Sequence, residues 1–79
     1  MIAVIRSMNP YVITKGKSEG REMCFIEVFD TFKDMSCVAF PDVWDKIKEN
    51  TFENAVYTFI GKYDGESFIL NDAELMLKV

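Results

Sequence analysis

The sequence predicts a small all-β barrel of five strands with one short helix inserted between strands 3 and 4. Three observations carry this expectation. The runs MCFIEVF (23–29) and MSCVAF (35–40) alternate side chains between two faces, as strands do. The alternation stops at Phe40-Pro41 in CVAFPDVW (37–44), and an acidic and aromatic run with helical spacing begins there. Polar, glycine-containing stretches, KGKSEG (15–20) and YDGE (63–66), punctuate the remaining apolar runs.

Each element follows from local chemistry. Ile2 to Thr14 is rich in β-branched residues and reads as a first strand, bent or split near Asn9-Pro10. Pro10 has no N–H to give a ladder, so it belongs at a bulge or an edge. Lys15 to Gly20 is a loop. Met23 to Phe29 is a second strand with Cys24, Ile26 and Val28 on its core face. Phe25, Glu27 and Phe29 lie on the other face, together with Met23. Asp30 to Asp34 is a turn, and Met35 to Phe40 completes a hairpin as the third strand.

Pro41 suits the first helical turn, where a missing N–H costs nothing. Asp42 or Asp45 complements the helix N-terminus. The helix runs over about residues 42–49, with Val43, Trp44 and Ile47 on its apolar face and Glu49 opposite. Ala55 to Tyr63 is a fourth strand, Asp64-Gly65 centres a tight turn, and Ser67 to Asn71 is a fifth. The tail AELMLKV is apolar enough to pack, as a strand extension or a short helix. The order β-β-β-α-β-β is the plan of an OB-fold, a Greek-key barrel closed at one end by its helix. The third strand stops at Pro41 because the barrel must be capped, with Trp44 as the plug.

Composition narrows the function. At 79 residues the chain is expected to be one domain, 1–79, near the lower size at which a single core suffices. Histidine is absent, which removes the commonest general base and the commonest metal ligand together. There is no paired catalytic constellation and no phosphate-cradling glycine motif, so no enzyme, no cofactor and no metal is expected within these residues. Cys24 and Cys37 lie in apolar runs and read as buried free thiols. No signal peptide and no membrane-spanning run is visible, so the expected setting is cytoplasmic, without a membrane partner. The net charge of −4 argues against a broad basic surface, although Lys15, Lys17 and Arg21 crowd one stretch beside Glu19 and Glu22.

The run TK…GREMCFIEVFD…CVAFPDVW…FIGKYDG resembles the OB domain near the C-terminal end of the bacterial replicative DNA polymerase III alpha subunit. Thr14, Lys15, Met23, Phe25, Asp30, Phe40, Pro41, Gly61 and Lys62 stand at the positions that carry the likeness, which covers roughly residues 12 to 72. Two departures accompany it. The loop after Lys15 is about three residues longer than in the family, and the turn at Asp30–Asp34 has Phe32 and no glycine. The resemblance implies an excised, non-catalytic module of DNA replication that binds single-stranded DNA weakly. Its other partners would be the remaining domains of the parent polymerase, which would carry the catalytic aspartates. A similar hairpin occurs in the anticodon-binding OB domain of aspartyl-type tRNA synthetases, where the positions of Phe25 and Ser36 contact a base.

Seven residues are therefore candidates for nucleic-acid binding. Phe25 offers a ring on which a base stacks, or else simply covers the barrel. Ser36, on the same face, is either a base-edge donor or a solvated hydroxyl. Lys15, Lys17 and Arg21 are suited to phosphates, or form a solvated loop. Lys62 and Tyr63 sit beside the fourth-strand turn. Glu27, on the same face, opposes phosphate contact there. A protein-interaction OB domain of the replication complex, docking through its aromatic face, and an anticodon-binding domain are the alternatives.

Overall fold

The computed structural model describes residues 1–30 and 32–77. Thr31, in the turn expected after the second strand, and Lys78 and Val79, the end of the apolar tail, lie outside the described residues. The elements are β1 (Ile2–Val12), β2 (Glu22–Phe29), β3 (Asp34–Ala39), α1 (Pro41–Ile47), β4 (Val56–Asp64) and β5 (Ser67–Leu77), with a 3-10 turn over Lys48–Asn50 extending α1.

The strands close into a barrel in the order β1-β2-β3-β5-β4. β1 makes the closure by serving two neighbours. Ile2–Val4 pair with β4, while the ladder to β2 runs from Val4 to Val12. β3 and β5 meet in parallel over Ser36–Val38 and Ser67–Ile69. This is the OB-fold topology, with the helix between strands 3 and 4, as the sequence predicts.

The bend in β1 falls elsewhere than expected. The register shifts between Ile5 and Ser7, so Arg6 is the bulged residue, whereas Pro10 stays in register opposite Cys24. Ile13 N–H donates to the Arg21 carbonyl (2.9 Å), so the odd-numbered amides of this stretch face β2 and Pro10 faces away. β4 pairs with β1 only through Val4, which makes that side of Pro10 an edge.

The tail continues β5 as a strand to Leu77. Asp64 pairs with Ser67, which centres the hairpin turn on Gly65-Glu66, one residue beyond the expected Asp64-Gly65. Gly65 has φ 66°, and a glycine at the first central position marks a type II′ turn whose twist suits the hairpin.

The core holds the expected face of β2, Cys24, Ile26 and Val28, all fully buried, together with Ile5, Cys37, Tyr57, Phe59 and Leu70. Met23, expected on the outer face with Phe25, is buried there opposite Tyr11. Trp44 and Ile47 are buried from α1, and Trp44 Nε1 donates to Glu22 Oε1 at 2.6 Å, so the indole enters the core without an unpaired donor. Buried Tyr57 is likewise satisfied. Its hydroxyl accepts from Phe52 N–H (2.7 Å) and donates to the Asn50 carbonyl (2.8 Å), tying the exit of the helix to β4. Both cysteines are free, and burial pushes the Cys24 thiol up to about 11 and the Cys37 thiol up to about 12.

Asp42 stands at the N-terminus of α1 as the sequence predicts, and both acidic residues also take part in a pairing that the sequence does not show. The helix has no side-chain cap hydrogen bond. Asp42 and Asp45 both accept from Arg21 Nη2, at 2.7 and 3.2 Å. The helix start is set by Pro41 and by Trp44 N–H donating to the Phe40 carbonyl at 2.8 Å.

Candidate nucleic-acid interface

The outer face of β1, β2 and β3 is assembled by cross-strand registration. Phe25 stands between Asn9 and Val38, Glu27 between Ser7 and Ser36, and Phe29 beside Asp34. Phe25 and Phe29 are each 40% exposed, so two rings four residues apart on β2 face solvent with the Glu27 carboxylate between them. Tyr11 from β1 stands edge-on to Phe25, with ring centroids 6.5 Å apart. The bulge turns Arg6 onto this face as well. Its guanidinium lies 5.1 Å above the Phe29 ring and binds Asp34 Oδ1 at 3.2 Å.

The seven candidates divide into groups. Phe25 and Ser36 sit on this face, but the Ser36 hydroxyl already donates to Glu27 Oε1 at 2.8 Å. Lys15 and Lys17 are exposed on the loop between β1 and β2, and among the described residues no ion pair involves either. That loop is pinned by Gly20 N–H to the Ile13 carbonyl (2.8 Å), and Gly16 and Gly20 both take positive φ. Arg21 belongs with the helix: its side-chain hydrogen bonds to Asp42 and Asp45 raise its pKa and occupy the guanidinium. Lys62 is exposed on β4, across from Ile69. Tyr63 packs edge-on against Phe68, 5.4 Å between centroids, and remains 58% exposed.

Tyr63 also lines an open cavity of about 500 Å³ with Glu27, Lys33, Asp34, Ser36 and Glu66. One end of the face therefore offers Tyr11 and Phe25, and the other offers carboxylates around a tyrosine. Sequence reasoning did not single out Tyr11 or Arg6. Tyr11 shares the strand parity of Asn9 and was open to that reading. Arg6 carries no such signal, because a bulge reverses the parity that would place it.

The residues behind the family likeness do structural work. The Asp30 carboxylate accepts from Phe32 N–H (2.9 Å) and Lys33 N–H (3.1 Å), which lowers its pKa and closes the β2–β3 turn without a glycine. Pro41 is buried at the helix start. A Cβ on Gly61 would fall on the Ile69 carbonyl oxygen and crowd the Phe68 ring, so only glycine fits here, beside the register shift in the β4–β5 ladder. Phe40 is 48% exposed, which leaves it outside the core it introduces.

Among the described residues no group of three or more His, Cys, Asp or Glu side chains is placed to hold a metal ion, and no helix is long and apolar enough to cross a membrane. No protein-family model matches the chain, and neither the curated proteins nor the solved structures contain a significant match to it.

Proposed function

We propose that this chain is a non-catalytic module that binds single-stranded DNA weakly across its β1–β2–β3 face, within a replicative polymerase alpha subunit as the sequence resemblance implies. The observation that carries the reading is the Tyr11–Phe25 pair: two exposed rings in contact on the outer face of an OB barrel. Every base has a π-face, so such rings take a strand without reading its sequence. Lys15 and Lys17 supply phosphate contacts from the adjoining loop, while Arg21 holds that loop against α1 rather than reaching DNA. The test is titration of the domain with a short single-stranded oligonucleotide, followed by amide and aromatic chemical shifts. Shifts centred on Tyr11, Phe25, Lys15 and Lys17 are expected. No detectable binding at millimolar protein would reject the reading.

A second reading, a protein-docking barrel, is favoured by one observation. Glu27, Asp34 and Glu66 line the cavity beside Tyr63, and a carboxylate-rich pocket attracts a basic protein segment rather than phosphates. A titration in which shifts appear only with a basic peptide, and only around Tyr63, would select it.

A further inference from the structure

We propose that Glu27 makes this face select bases with an amino group on the Watson–Crick edge, guanine foremost, over thymine or uracil. The inference rests on the single-strand reading and names the base class that the site takes. Glu27 is the one charged residue among the outward side chains of β2 from Phe25 to Phe29, and it lies between the two exposed rings. A strand that stacks on Phe25 and follows β2 brings a base edge or a sugar past this carboxylate.

The carboxylate is oriented. Ser36 Oγ donates to Oε1 at 2.8 Å from the neighbouring strand. An ionised carboxylate only accepts hydrogen bonds, so it pairs with a base that donates. Guanine presents N1–H and the 2-amino group side by side, which matches the two carboxylate oxygens. Cytosine and adenine offer one amino group each, and glutamate accepting from cytosine N4 is an established pairing. Thymine and uracil present a single N3–H between two carbonyl oxygens, which the carboxylate repels.

The charge around the site fits a base edge better than a phosphate. Arg6 is spent on Asp34 and Phe29, and Lys33 lines the cavity with Glu27 and Glu66. Among the described lining residues the carboxylates of Glu27, Asp34 and Glu66 outweigh the charge of Lys33, which disfavours a phosphate and leaves the neutral base as the group that can enter. The open cavity of about 500 Å³ next to Glu27 falls within the usual range for small-ligand pockets, about 300–1,000 Å³. Tyr63 provides a ring there.

The experiment compares a short oligothymidylate with the same strand carrying one central guanine, and with one central inosine, which lacks the 2-amino group. Binding is read by fluorescence anisotropy with the intact chain. A bidentate base contact predicts that the guanine strand binds at least about fivefold tighter than oligothymidylate, with inosine between them. Glu27→Gln should remove the preference, because the amide neither matches the paired donors of guanine nor repels the carbonyl oxygens of thymine. Ser36→Ala, which frees the carboxylate to rotate, should reduce the preference. If all three strands bind the native chain equally and Phe25→Ala weakens them equally, the Glu27 proposal is overturned and the single-strand reading stands. If no strand binds, both fall. A guanine preference that survives in Glu27→Gln also overturns the proposal.

Discussion

Phe25→Ala separates binding from folding, because the structure assigns the ring a limited share of stability. Phe25 is 40% exposed and outside the buried core. Full burial of such a side chain is worth about 1.5–3 kcal/mol, so the covered part of the ring comes to about 1–2 kcal/mol. A phenylalanine inside the core would instead cost about 3–5 kcal/mol. Against a total of roughly 4–12 kcal/mol for a chain of this length, the variant stays folded, with its melting temperature lowered by roughly 5–15 °C. Binding should suffer more in proportion. Losing one stacked base costs about 1–3 kcal/mol, a five- to 150-fold rise in Kd. The assay pairs thermal circular dichroism with anisotropy of a labelled single-stranded oligonucleotide. A cooperatively folded variant with unchanged Kd would refute the stacking role. A variant that unfolds outright would place the ring in the core and refute the burial argument.

Three further outcomes follow from the same structure. Gly61→Ala should destabilise the barrel by about 1–3 kcal/mol, since the new methyl group meets the Ile69 carbonyl rather than a movable side chain; a denaturation midpoint unchanged from the native chain would contradict this. With thiol pKa values raised to about 11 and about 12, at most about one thiol in a thousand is ionised at pH 8, so the native chain should resist alkylation while the denatured chain labels at both Cys24 and Cys37. Rapid native labelling would show the barrel opening. With Arg21 held by Asp42 and Asp45, Lys15 and Lys17 neutralise two phosphates and the log–log salt slope for a single strand should be about −1.4; Asp42→Asn with Asp45→Asn should release Arg21 and steepen it towards about −2.1.

The fold was legible because its signals are local. Alternation fixed the inward face of β2, the proline marked where β3 gives way to α1, and the spacing of Trp44 and Ile47 pointed both into the barrel. The misplaced details depend on pairing partners that a linear pattern does not contain. The bulge at Arg6 arises because β1 must turn from β4 to β2, and the hairpin centre shifted by one residue because the Asp64–Ser67 pair set it. The candidate site was half legible. Phe25 stands out on a strand by parity alone. That Arg21 is engaged by two aspartates more than twenty residues away, and that Ser36 points its hydroxyl at Glu27, are long-range contacts without a sequence signature.

The polymerase resemblance and the functional face rest on different residues. Asp30 closes a turn, Pro41 starts a helix, and Gly61 lets the β5 backbone approach β4 closely. Any barrel built this way needs those groups, whatever it binds, so their presence speaks for architecture rather than for DNA. Among the matched positions Phe25, Lys15 and Lys62 are exposed candidates for a ligand, and around Phe25 the chain is individual: Tyr11 beside it, Glu27 below it, Arg6 over Phe29. Function therefore has to be argued from this face. Its chemistry, two rings in contact and two free lysines in a chain of net charge −4, fits a contact that is weak in isolation. A strand already held elsewhere on a parent polymerase would meet this face at high effective concentration, and a weak stacking site is then sufficient to guide it.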